Sequence, residues 1–250
     1  MEPLVSVVIP VYNATKYLAR TLDSALRQTH KNLEIILIDD CSKDDSLKMM
    51  YDYAARDSRI KVLESEKNQG VAAVRNRGIQ EASGEYIALL DSDDVWVEDK
   101  IERQLESIRN TGAQISFCSY SFIDENDNEI LHPFIVPEET NYKQFLYVNC
   151  FSCSTILVDA KLFKEHPFKG NYYHEDYLLW MELLSENVKN AGITDVLAYY
   201  RQVSGSRSHN KMNAAKQRWK IYRKALDMNL YQSLNAMVGY SFYGLKKYKK

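Results

Sequence analysis

The sequence predicts an α/β protein with a mainly parallel central sheet covered by helices on both faces. Two observations carry that prediction: short apolar runs alternate with segments whose apolar residues recur at helical spacing, and polar clusters stand at the carboxyl ends of successive apolar runs. "VSVVIPVYN" (5–13) reads as a first strand closed by polar residues. Residues 15–28 then place Tyr17, Leu18, Leu22, Ala25 and Leu26 on one helical stripe, and "LEIILIDD" (33–40) is again a strand, this time ending in acids. Ser42 and Asp45 open a second helix carrying Leu47, Met50 and Ala54. A short strand at 60–63, a helix around 72–82 and a strand running into "LLDSDD" (89–94) complete the alternation, which calls for parallel pairing.

Further along, Asp94 is expected to cap a helix bearing Val97, Ile101, Leu105 and Ile108. Residues 151–158 form an apolar, strand-like run, "HEDYLLWMELL" a helix, and "VLAYYR" (196–201) the last strand. One α/β domain over 1–210 is expected, with a first half to about residue 100 and a second over 101–210. A basic helical extension follows over 211–250.

Composition bounds the function. With 250 residues, 45% hydrophobic and 26% charged, nine glycines and five prolines, the chain fits a globular protein and neither a disordered nor a fibrous one. Four scattered cysteines do not make a secreted disulfide framework. The opening residues lack the basic and long apolar regions of a secretory signal, so a reducing cytoplasm is the expected compartment. Cys150 and Cys153 make a lone CxxC inside an apolar run and read as buried structural residues. The net charge of −2 hides a strong polarity. Residues 201–250 hold twelve lysines and arginines against one acid, Asp227, a net of +11, while residues 1–200 hold twenty against thirty-three, a net of −13. An anionic partner for the C-terminal part is expected.

The polar clusters Tyr12 with Asn13, Asp39 with Asp40, and Asp91 to Asp94 lie at carboxyl ends of strands, the edge where open α/β sheets bind ligands. A nucleotide is the expected ligand. Neither GxGxxG after the first strand nor GxxxxGK[ST] anywhere is present to hold its phosphates, whereas a divalent cation bridging the aspartates and a diphosphate would do so and neutralise the cluster.

Taken in order, "VSVVIPVYN", "IDDCSKD", "NQGVAAVRNRG", "ALLDSDD" and "HEDYLLW" resemble the family 2 glycosyltransferases of the GT-A fold over residues 4–210. These enzymes transfer a sugar from a nucleotide donor, most often a UDP-sugar, with inversion. The resemblance implies that Pro10, Val11, Tyr12, Asn13, Asp39, Asp40, Asn68, Gly70 and Arg75, with Asp91 and Ser92 of the DxD signature, surround the nucleotide. It implies that Asp93 and Asp91 hold Mn2+ or Mg2+, joined by His209 of "SGSRSHN", and that Asp176 is the catalytic base. Glu175 and Arg207 are expected near the acceptor or the diphosphate. Two departures stand out: Cys41 where the family usually has glycine, and Val74 where alanine commonly precedes the Arg-Asn pair. The expected partners are a nucleotide sugar and a saccharide or lipid-linked saccharide acceptor, as in surface polysaccharide synthesis, with no nucleic acid.

The residues alone leave alternatives open. Glu175 and Asp176 suit a helix cap as well as catalysis, Tyr12 a strand-end wedge as well as a stacking surface, and His209 a plain polar loop. "LLDSDDV" also fits a phosphohydrolase with Asp91 as covalent nucleophile and Asp93 as acid/base, although that leaves "VSVVIPVYN" and "HEDYLLW" without a role. An inert scaffold is a further alternative. An EF-hand is excluded because Val95 and Trp96 stand where that loop needs Asp or Asn and then Gly. Finally, the tail places Leu230, Leu234, Met237 and Val238 at helical spacing, followed by Tyr240, Phe242, Tyr243 and four lysines. It is expected either to dock on the catalytic domain or to lie on an anionic membrane surface.

Overall fold

The computed structural model describes residues 2–203 and 211–247. Strand β1 (Val5–Val11) pairs in parallel with β2 (Leu33–Asp39) on one side and β4 (Tyr86–Leu89) on the other, and β2 pairs in parallel with β3 (Ile60–Glu64). Both "VSVVIPV" and "LEIILID" are apolar at nearly every position because both of their faces are buried.

The parallel rule holds for this quartet and then gives way. β8 (Ile156–Asp159) lies antiparallel between β4 and β6 (Ile115–Ile123). β9 (Asn190–Arg201) runs parallel to β6, and the two-residue β5 (Val95–Trp96) pairs antiparallel with β9. The order is β3-β2-β1-β4-β8-β6-β9-β5, with β7 (Glu129–Phe134) paired to β6 off this path, so one continuous sheet runs through both halves of the chain.

Alternation along the strands sorts the core into two layers. Val5, Val7, Ile9, Ile35 and Leu37 face α1 (Leu18–Leu26), α2 (Ser46–Ala54) and α4 (Lys100–Thr111). Val8, Ile36, Ile38 and Leu89 face α3 (Val71–Glu81), and the same layer takes in α5 (Tyr142–Tyr147), α6 (Ala160–Glu165) and α7 (Glu175–Ser185).

Two sequence expectations change. The helix expected after Asp94 starts later, at Lys100 behind Asp99, because Val95 and Trp96 are drawn into pairing with β9. The tail divides differently as well. α8 (Lys211–Lys220) passes through a π-helical turn, Ile221–Ala225, before α9 (Leu230–Lys247). Ile221, Tyr222 and Ala236 join the main core, with Met237 packed against it. Leu230, Leu234 and Val238 of the expected stripe stay exposed. α9 therefore has an apolar inner face that docks and an apolar outer face that does not.

Candidate active site

The carboxyl ends of β1, β2 and β4 and the start of α7 carry most of the expected site residues. Behind β1, Asn13 takes a left-handed backbone, φ 50°, and its Oδ1 accepts the Lys43 N–H at 2.7 Å. The Asn13 N–H donates to Ser42 Oγ at 3.0 Å, so this residue ties two loops together. Tyr12 is half exposed, Pro10 half-buried, and the Val11 side chain wholly buried in the core. The Val11 carbonyl accepts the Asp40 N–H, which ties the end of β1 to the end of β2.

Asp40 braces the loop before α3. Its two oxygens accept the Gln69 and Gly70 N–H groups at 2.7 and 2.9 Å, and its carbonyl accepts from Asn68 Nδ2 at 3.2 Å. Gly70 sits at φ 83°, where a side chain is strained. Cys41 takes φ 63°, which gives the physical reason for the glycine usual in similar sequences: a thiol side chain holds a left-handed backbone only at a cost of about 1–2 kcal/mol.

Asp39 is different from Asp40. It is buried, one oxygen accepts the Ser42 N–H at 3.0 Å, and the other, Oδ1, has no hydrogen-bond partner among the described residues. A buried carboxylate oxygen without a donor costs roughly 1–3 kcal/mol, so this atom is poised to accept from a ligand N–H.

Arg75, expected beside the nucleotide, is almost fully buried, with one terminal nitrogen 2.6 Å from Asp91 Oδ1 and the other 3.4 Å from Glu175 Oε1. Burial alone lowers its pKa, but the surrounding anions, Asp91 foremost, reverse this and hold the guanidinium charged. Glu175, expected near the acceptor or diphosphate, is likewise buried, and its bond to Arg75 makes it an inward anchor. Asp176 follows in the first turn of α7, half-buried.

Asp91, Ser92 and Asp93 are all half-buried. Burial first, and the Asp91 charge second, push the Asp93 carboxyl up to about 6. Among the described residues no group of three His, Cys, Asp or Glu could hold a metal unaided. Asp91 and Asp93 nevertheless fit a divalent cation, because two crowded anionic oxygens are relieved by one and a bound diphosphate can complete its shell. Asp94 does not join them. Its oxygens accept from Ser154 Oγ at 2.5 Å and the Arg201 N–H at 2.9 Å, so it is scaffold, neither helix cap nor metal ligand. His209 and Arg207 lie outside the described residues.

One residue escaped the sequence reading. It is Arg201, buried at the end of β9, whose Nε donates to the Asp93 carbonyl at 2.8 Å and whose Nη1 donates to the Asp124 carbonyl at 2.7 Å. A lone arginine closing the apolar run "VLAYYR" was the available signal. Cys153 is buried, as its apolar run predicts, and burial lifts its thiol pKa well above the usual range. Arg75, bonded to both Asp91 and Glu175, brings the aspartate end of β4 and the start of α7 together.

Proteins similar to this chain in sequence and in fold include sugar transferases. The sequence model described as "Glycosyl transferase family 2" matches residues 6–166. The putative teichuronic acid biosynthesis glycosyltransferase TuaG of Bacillus subtilis is 36% identical over 247 residues, 98% of each chain. The UDP-Glc:alpha-D-GlcNAc-diphosphoundecaprenol beta-1,3-glucosyltransferase WfgD of Escherichia coli is 33% identical over 250 residues, covering 98% of this chain and 95% of that one. Among solved structures, S. aureus TarS 1–349 in complex with UDP-GlcNAc superposes with a TM-score of 0.71 at 19% identity, over 95% of this chain and 71% of that one. The mannosyltransferase PcManGT of Pyrobaculum calidifontis, in complex with GDP-Man and Mn2+, superposes with a TM-score of 0.70 at 16% identity, over 92% and 66%. Sequence and architecture agree, and the chain belongs to glycosyl transferase family 2, built on the GT-A fold.

Proposed function

We propose that this protein transfers a sugar from a UDP-sugar, with inversion, to a hydroxyl of a lipid-linked saccharide at the cytoplasmic face of a membrane, as one step of surface polysaccharide synthesis. The observation that carries this reading is the buried Arg75, whose guanidinium bonds both the donor-side Asp91 and Glu175, the residue immediately before the half-buried Asp176 at the start of α7. A relative whose name specifies a UDP-Glc donor and a diphosphoundecaprenol-linked acceptor over nearly the whole chain supports the choice of substrates.

The residues divide the work as follows. Asp39 Oδ1 accepts the imide N–H of uracil, a donor that cytosine lacks at that ring position. Asp91 and Asp93 would hold a divalent cation, Mn2+ or Mg2+, which when bound would offset the charge building on the departing diphosphate. Asp176 takes the proton from the acceptor hydroxyl, whose own pKa is far above neutrality, on the face of the sugar opposite the leaving group. Arg75 holds Asp91 and Glu175, and through Glu175 the first turn of α7, in fixed relation.

Calorimetry with UDP tests the donor side. UDP is expected to bind more tightly with Mn2+ than with EDTA, and Asp93→Asn to lose most of that gain; equal affinity in the two buffers removes the cation from the reading. Asp39→Asn is expected to weaken UDP by about 10- to 100-fold, the scale of a hydrogen bond to a charged group at ~1.5–3 kcal/mol, while CDP changes little. A variant that keeps full preference for UDP over CDP takes Asp39 out of base recognition.

A further inference from the structure

Ten large apolar side chains stand exposed among the described residues, and six of them, Leu230, Tyr231, Leu234, Val238, Phe242 and Tyr243, fall on the single helix α9. Four make a row at spacings of three, four and four: Tyr231 is 81% exposed, Leu234 52%, Val238 69% and Phe242 65%. No charged residue interrupts the helix from 230 to 245. A surface helix facing water is expected to carry its polar residues outward. Here the outward row is the apolar one.

The opposite face is the one the domain holds, so this row is not waiting to fold back onto it. Ser233 and Ala236 are buried, the Arg218 guanidinium lies 4.9 Å from the Tyr240 ring, and Asn235 Nδ2 donates to the Tyr147 hydroxyl at 2.9 Å. At Gly239 the fit is so close that a Cβ would stand 2.1 Å from Cδ1 of Tyr147.

We propose that the outer face of α9 is a bilayer-binding surface for anionic lipid, seated in the headgroup layer with its axis along the membrane. Charge selects this occupant. The last fifty residues carry a net +11, including four lysines after residue 245, so apposing two copies through α9 sets like charge on like. An anionic surface complements the lysines and takes the aromatic rings at its apolar boundary. Among the described residues no helix is long and apolar enough to cross a membrane, which fits a helix that lies on one.

The placement also serves the candidate site. α9 contacts α8, and the α8 carbonyl of Ala214 lies 3.1 Å from His174 Nε2, immediately before the α7 residues Glu175 and Asp176. A bilayer under α9 thus brings a lipid-linked acceptor to elements adjoining Asp176. This last link rests on the function proposed above; the attachment itself does not.

Vesicle flotation of the full chain, without donor or acceptor, tests the attachment. The protein is expected to float with phosphatidylcholine vesicles containing phosphatidylglycerol, to stay behind with phosphatidylcholine alone, and to detach as salt rises from about 50 to about 500 mM. Val238→Asp with Phe242→Asp alters only exposed positions and leaves the thermal midpoint unchanged, yet is expected to lower the bound-to-free ratio at least about tenfold. Wild-type protein that ignores anionic vesicles, or a double variant that floats as well as wild type, overturns the proposal. So does a wild-type dimer in sedimentation that the double variant turns to monomer while neither binds vesicles. Flotation that depends on the two residues, in a protein that transfers no sugar, upholds the surface and sinks the catalytic reading instead.

Discussion

Asp176→Asn should lower the rate of sugar transfer by about 10²- to 10⁴-fold, the usual worth of a general base, while UDP affinity stays within a factor of about two of wild type. The asymmetry is the informative part. In the proposed mechanism Asp176 acts on the acceptor proton, and its amide replacement keeps the volume and the first turn of α7 while removing the basic oxygen. Glu175, one residue earlier, still binds Arg75 in the variant, so the helix keeps its anchor. Single-turnover rates with saturating donor, set beside UDP calorimetry, separate the two effects. Wild-type turnover in the variant removes Asp176 from the mechanism, and a parallel collapse of UDP binding reassigns it to the donor site.

Arg75→Met should cost about 3–5 kcal/mol of stability, the scale for breaking a buried ion pair from one side. The loss falls mainly on Glu175, whose buried carboxylate loses its guanidinium partner, because Asp91 keeps partial access to water. For a chain of this size roughly 2–4 °C per kcal/mol is expected in the thermal midpoint, so the shift is large enough to read without ambiguity. Adding Glu175→Gln to Arg75→Met should return part of the loss, since a buried charge that Arg75 offset is then gone, and a double-mutant cycle gives the coupling. Additive costs in that cycle contradict the pairing.

The parallel quartet β3-β2-β1-β4 was legible because its strands are apolar on both faces and end in polar residues, two patterns that one sequence displays directly. The second half was harder to read. β8 and β6 pair antiparallel across long separations, and nothing local in "ILVD" or "ISFCSYSFI" says which neighbour each will take. Asp94 shows the same limit within the site. An aspartate before a helical stripe reads as a cap, but β9 takes Val95 and Trp96 into the sheet and sets the carboxylate against Ser154 and Arg201, residues 60 and 107 positions away. Asp39 and Asp40 are indistinguishable as a dipeptide, and only the paths of the Ser42, Gln69 and Gly70 amides leave one of them with an oxygen to spare. The motif order identified the family; the division of labour among its acids needed three dimensions.

The close fit of Gly239 on Tyr147, together with the contact between His174 and Ala214, bears on how such proteins can be recombined. A tail exchanged between two relatives at residue 210 arrives without the α5 ring and the α7 entrance that shaped its inner face. A functional chimera has to carry residues 142–147 and 172–176 across with residues 211–247. These segments are then inherited as a block, and transplantation of the tail alone is expected to yield hybrids that fold poorly.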